Sequence, residues 1–236
     1  MEIYKTTNIT APQPLRIKQD LSRDPPPAVA ASLPASWALS PGKRALDLLL
    51  ALVLMVAALS WITLLLGVLI KLNSRGAVFF TQKRIGKNGS VFTCYKFRTM
   101  YPNKLSDSMQ AMNNDVRVTS LGKWLRRYHI DELPQIFNIF LGHMSFVGPR
   151  PHMLSDDVFF ASVLPCYDRR KSVRPGLTGM AQIKGFHGYA QDIISISNRT
   201  RMDLFYIRKA SFSIDFKILL ATLFPPLHEK KKSWNK

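Results

Sequence analysis

LLLALVLMVAALSWITLLLGVLI, Leu48 to Ile70, runs through twenty-three positions without a charge. A helix apolar on every side suits lipid better than water. As an α-helix it rises roughly 35 Å, enough for a hydrocarbon core of about 30 Å. A buried core helix is the competing reading, but a small domain seldom hides one this long and this apolar. The flanks then set the topology. Lys43 and Arg44 precede the run; Lys71, Arg75, Lys83, Arg84 and Lys87 follow it. Basic flanks stay on the cytoplasmic side, and here both flanks are basic. A helix that enters, bends and returns to the same face satisfies both. Ser60-Trp61 lies near the middle, and a Ser hydroxyl bonded to the preceding turn bends a helix. No proline stands between Pro41 and Pro102, so the strongest kinking residue is absent.

Outward from that helix, the chain divides into four parts. Residues 1–40 hold six of the fifteen prolines, including Pro25-Pro26-Pro27, and read as a disordered arm. The apolar run begins too late for a signal peptide. Residues 41–72 form the re-entrant membrane helix, 73–227 a cytoplasmic catalytic domain, and 228–236 a basic tail. Net charge is +18, and 17 of that excess lies beyond residue 40. Such a field attracts polyanions: nucleic acid, anionic lipid or phosphorylated small molecules. Cys94 and Cys166 are too few and too distant for a disulfide framework or a zinc site, and read as reduced thiols.

Val78–Thr81 and Val91–Tyr95 are β-rich, and Gly86-Lys87-Asn88-Gly89 between them is a turn, so a hairpin follows the membrane helix. Leu121–Tyr128 reads as a short basic helix. Leu133–Leu141 reads as a second helix with Pro134 in its first turn. Ile207–Leu227 is apolar and suits either the membrane interface or the core. The sum is an α+β fold, mostly helical: a re-entrant membrane helix, a small hairpin and interfacial amphipathic helices, making a monotopic membrane protein.

The chemistry concentrates at Asp131-Glu132. Adjacent carboxylates at a helix start sit near the positive end of its dipole. One can attack or accept a proton while the other holds a divalent cation; the plainer alternative is a cap and a first-turn acid. Three basic clusters accompany the pair. Lys96 and Arg98 share one strand face by alternation. Gly148-Pro149-Arg150-Pro151 fixes an arginine in a stiff turn, and Arg174-Pro175-Gly176 repeats the device. Arginine forks match phosphate oxygens. Neither GxxxxGK[ST] nor GxGxxG occurs, and the basic groups lack the aromatic platforms or recognition helix of a nucleic-acid binder.

The strings KRALD (43–47), YKFRTM (95–100), VTSLGKWLRRYHIDELPQIFNIFLGHMSFVGPRP (118–151) and RPGLTGMAQIKG (174–185) resemble the monotopic phosphoglycosyl transferases of bacteria, also called the bacterial sugar transferase family, in its short form. The resemblance runs from Lys43 to Leu227. It implies transfer of a sugar-1-phosphate from a UDP-sugar to undecaprenyl phosphate, giving undecaprenyl-diphosphate-sugar and UMP. This is the opening membrane step of exopolysaccharide, capsule or other glycoconjugate synthesis. It makes Asp131 the nucleophile of a covalent aspartyl phosphosugar. Glu132 holds Mg²⁺ or assists proton transfer, with Asp131 as a second metal ligand. Lys96, Arg126 and Arg150 become contacts to phosphate and substrate, and Arg174 shapes the rest of the nucleotide-sugar pocket. The implied location is the bacterial inner membrane, with the catalytic domain facing the cytoplasm. A homodimer or downstream glycosyltransferases are further partners that the resemblance allows, with no nucleic acid.

The sequence departs from the family pattern in places. Ser60-Trp61 replaces Ser-Pro, Asp115-Val116-Arg117 replaces Asp-Pro-Arg, and Met180 replaces a common tryptophan. Gly185-Phe186-His187-Gly188 is similar to a glycine-aromatic-arginine-glycine string of the often glucose-specific branch, so UDP-glucose is the expected donor. An inactive membrane adaptor of a polysaccharide-synthesis complex is the alternative; the intact carboxylates and arginines oppose it.

Overall fold

The computed structural model describes residues 36–103, 115–186 and 192–224. The proline-rich arm, most of the polar stretch after Asn103, His187 and the basic tail lie outside these residues. After one helical turn at Ser36–Leu39, helix α1 spans Pro41–Asn73. It is long and apolar enough to cross a membrane, and little of its apolar window is buried. Its middle is a π-helical stretch, Met55–Leu59, and Ser60 Oγ donates to Val56 O at 2.8 Å. The hydroxyl back-bond expected from sequence is therefore present, next to the kind of local widening that re-aims a helix.

Both ends of α1 are fastened to one body. At the start, Lys43 is buried and paired with Asp215 at 2.5 Å. Arg44 donates to Ile139 O and Phe140 O at 2.7 and 3.0 Å, and Asp47 accepts from Phe146 N at 3.1 Å. At the far end, Asn73 Nδ2 donates to Ser120 Oγ at 3.3 Å, and Val78 packs over Gly67. Lys43 and Arg44 are thus ties to the protein as well as the basic flank of the apolar run.

The hairpin forms as expected: β1 (Phe79–Ile85) pairs antiparallel with β2 (Val91–Phe97). Its turn places Asn88 and Gly89 at positive φ, which these residue types tolerate. Helix α2 (Ser120–Arg127) is capped by Thr119, whose hydroxyl accepts from Gly122 N at 2.9 Å. His129 ends it at φ 56°. The second expected helix is shorter than 133–141: Ile130–Glu132 is a 3₁₀ turn, and α3 spans Gln135–Phe140 behind Pro134. Asn138, fully buried, fastens α3 to the edge of β2. Its Oδ1 accepts from Tyr95 N at 3.0 Å and its Nδ2 donates to Thr93 O at 2.7 Å.

The elements between Leu141 and Ile207 were not anticipated. Strands β3 (Ser145–Val147) and β4 (Gly176–Thr178) pair in parallel and bring the two stiff Pro-Gly turns together. A Cβ on Gly148 would lie 2.6 Å from Arg174 O, and one on Gly176 would lie 2.1 Å from Gly148 N, so only glycine permits this approach. Helix α4 (Leu154–Val163) follows, and α5 is the single turn Met180–Ile183. The apolar segment from Ile207 is not one element: α6 (Ile193–Lys209) ends inside it, and Ser211 caps a new helix, α7 (Phe212–Leu223). Ser211 Oγ accepts from Ile214 N, which gives the break its cause. Ile218 of α7 faces the core, while Phe212, Phe216, Leu220 and Leu223 stay exposed.

Candidate active site

The 3₁₀ turn delivers Asp131 and Glu132 into a buried position between the hairpin and the turn after β3; each residue is under one-tenth exposed. Glu132 is fully engaged. Lys96 Nζ lies 2.6 Å from Oε1, and Arg150 forks across the carboxylate at 2.5 and 3.1 Å. Burial alone would raise this carboxyl, but Arg150 and then Lys96 outweigh it and hold it well below the usual range. Among the described residues no donor bonds the Asp131 carboxylate. Burial pushes its pKa up, Glu132 adds repulsion, and the attraction of Lys96, Arg126 and His129 opposes the rise. The two neighbouring carboxylates are pushed in opposite directions, the usual signature of divided roles.

Arg126 is brought to this site by α2. Its Nε donates to Thr99 Oγ1 at 2.8 Å, and its charge faces Asp131. Lys96, Arg126, Arg150, Asp131 and Glu132 therefore lie together. Arg98 and Arg174 do not join them. The strand ends at Phe97, and Arg98 turns to the open end of α1, donating to Ser74 O at 2.8 Å and to Arg75 O. These carbonyls follow directly on the helix end at Asn73, where the negative end of its dipole favours a base, so strand alternation fails one residue beyond the strand. Arg174 donates to Gly142 O at 2.9 Å and lies beside Arg44, lining a small cavity with Lys43, Asp47, Ser145 and Tyr206.

Sequence reasoning missed Arg84 and Arg170. Arg84 is half-buried on β1 and donates to Pro151 O at 3.2 Å. Arg170 donates to Arg150 O at 2.6 Å and pairs with Asp203 at 2.8 Å. Neither belongs to a distinctive motif; a run such as Asp168-Arg169-Arg170-Lys171 reads as solvated charge.

As a metal site the pair is compact. No group of three or more potential ligands occurs among the described residues. Magnesium needs only one or two carboxylates plus substrate phosphates, so the donor set fits. Asp131 is open, and Glu132 accepts a cation only by releasing a base.

A buried carboxylate that no described donor bonds thus sits beside a second one neutralised by lysine and arginine. The chain belongs to the bacterial sugar transferase family, whose model matches residues 38–229. A UDP-glucose:undecaprenyl-phosphate glucose-1-phosphate transferase of Klebsiella pneumoniae is 40% identical over 183 residues, which are 77% of this chain and 39% of that protein. A UDP-N-acetylgalactosamine-undecaprenyl-phosphate N-acetylgalactosaminephosphotransferase of Aeromonas hydrophila is 41% identical over 77% of this chain and 42% of its own. The exopolysaccharide production protein PSS of Rhizobium leguminosarum bv. phaseoli is 38% identical over 80% of this chain and 96% of its own. The chain thus spans about four-tenths of the first two relatives and nearly all of the third.

Proposed function

We propose that this chain transfers a sugar-1-phosphate, with glucose the leading sugar, from a UDP-sugar to undecaprenyl phosphate. The observation that carries this reading is the contrast between an undonated, buried Asp131 and a fully neutralised Glu132. A carboxylate without donors keeps its lone pairs for attack. An oxygen of Asp131 attacks the β-phosphorus, the bond from that phosphorus to the bridging oxygen breaks, and UMP leaves with the electron pair. An oxygen of undecaprenyl phosphate then attacks the same phosphorus and displaces the Asp131 carboxylate, leaving the diphosphate-linked sugar. Lys96, Arg126 and Arg150 hold the phosphate oxygens during both displacements; fixed cations of this kind stabilise charge that develops in the transition state. Asp131 and Glu132 would hold Mg²⁺, which when bound supplies further neutralisation of the diphosphate.

The membrane reading is monotopic, with α1 re-entrant and the body on the cytoplasmic face of the inner membrane. Ties from both ends of α1 to one body support it, since a straight span would carry one end across the bilayer. The exposed apolar row of α7 suits the interface. Glucose is favoured because the Klebsiella relative is named for it; the Aeromonas relative, named for N-acetylgalactosamine, makes that sugar the first competitor.

The test is UMP release by detergent-solubilised protein with Mg²⁺, undecaprenyl phosphate and a panel of UDP-sugars, beside Asp131→Asn. Release with one sugar, sustained only with the lipid phosphate and lost in the variant, is the expected result. No release from any donor by folded, membrane-bound protein would instead favour an adaptor role.

A further inference from the structure

The turn that presents Arg150 cannot hold itself. Pro149 and Pro151 have no N–H to donate, so local hydrogen bonding is poor. Four consecutive carbonyls are instead clamped from outside. Pro149 O accepts from Gly176 N at 2.9 Å, and His152 O from Ile85 N at 3.1 Å. Pro151 O accepts from Arg84 at 3.2 Å, and Arg150 O from Arg170 at 2.6 Å. Among the described residues the last is the only backbone clamp on the arginine that grips Glu132, and it has unusual backing. Arg170 is buried, gives Nε and Nη2 to Asp203 at 3.1 and 2.8 Å, and brings Nη1 within 3.3 Å of His152 Nδ1. His152 Nδ1 meets the Tyr167 hydroxyl at 2.7 Å, and Tyr167 reaches Asp157, which Lys171 neutralises at 2.6 Å.

A buried ion pair is seldom kept for stability alone, because desolvation offsets most of the attraction. This one spends a donor on the carbonyl of a residue in the candidate site. We infer that Arg170, seated on Asp203, is a positioning residue for phosphosugar transfer: it fixes the Arg150 backbone so that the guanidinium stays aligned with Glu132 and the incoming phosphates. The inference rests on the reading that transfer runs at Asp131. Lysine in place of Arg170 can reach Asp203 or Arg150 O but lacks the fork that spans both.

The experiment compares UMP release by wild type, Arg170→Lys, Arg170→Gln, Arg150→Ala and the Arg150→Ala/Arg170→Gln double variant. A misalignment of about 1 Å costs on the order of 100-fold in rate. Arg170→Gln is expected to lose about 10- to 100-fold in kcat with a smaller change in KM, and Arg170→Lys to recover part of it. The double variant should be no slower than Arg150→Ala, because Arg170 acts through Arg150. Penalties that multiply in the double variant would overturn the inference, as would unchanged kcat in Arg170→Gln. Hydrogen exchange gives a readout independent of activity. In Arg170→Gln, a peptide covering Ser145–Met153 should exchange faster while one covering α3 keeps its wild-type protection; equal protection in the turn overturns the clamp. If wild type releases no UMP, the functional reading fails while the exchange result still decides the clamp.

Discussion

Gly122→Ala sets two physical rules against each other. Gly122 is an interior residue of α2, where alanine is intrinsically better by about 1 kcal/mol. Propensity alone therefore expects a more stable protein. The packing says the opposite. A Cβ at this position would sit 2.0 Å from Thr99 O and 2.8 Å from Thr99 C, both backbone atoms, so reaching ordinary contact at 3.4 Å needs about 1.4 Å of separation. Thr99 O already accepts from Thr119 N at 3.0 Å, the residue that caps α2, so the helix cannot slide without losing its start. Overpacking of this kind costs about 1–3 kcal/mol, which exceeds the propensity gain over most of its range. At roughly 2–4 °C per kcal/mol for a chain of this size, the melting temperature should fall by several degrees. Movement of α2 also stretches the Arg126–Thr99 contact, now 2.8 Å, and withdraws Arg126 from Asp131. A shift of about 1 Å at a positioned charge can cost on the order of 100-fold in rate. Thermal unfolding in detergent and UMP release from the same preparation read both effects. A variant with raised stability and wild-type turnover would refute the reasoning.

Four further outcomes follow from the site. Asp131→Asn should abolish UMP release yet raise the melting temperature, because a carboxyl whose folded pKa is raised weakens the fold once it ionises. Glu132→Gln should do the reverse for stability: Lys96 and Arg150 lose their buried counter-ion, at a cost of about 3–5 kcal/mol measured by denaturant unfolding. In the rate profile, Asp131 must be ionised to attack, so kcat/KM should rise with pH through its elevated pKa. Lys96→Met removes an attraction that lowers that pKa, and the acid limb should move to higher pH. For topology, cysteines placed at residues 42 and 75 should both resist labelling from outside the cell; one reactive position would mean a true span.

Several features were legible in the sequence because their causes are local. The charge-free run needs only its own side chains to identify a lipid-suited helix, and Ser60 carries its own back-bond. The hairpin follows from two β-rich runs around a Gly-Lys-Asn-Gly turn, and α2 from the short basic run Leu121–Tyr128. The Asp131-Glu132 pair and Arg150 between two prolines stood out in combination; alone, the pair reads as well as a cap and a first-turn acid, and the arginine as a surface base. Local pattern could not choose among equivalent bases. Lys96 and Arg98 looked alike on one strand face, and Arg150 and Arg174 looked alike beside proline and glycine. Packing separated them. The carbonyls just past the end of α1 drew Arg98 away, the parallel contact of β3 with β4 seated Arg174 beside Gly142, and of these four bases only Lys96 and Arg150 reached Glu132. The same holds for Lys43 and Asp215, 172 positions apart, and for Arg170 and Asp203. A side chain's residue type is written in its own position, but its partner is set by distances between segments, and those exist only once the chain has packed.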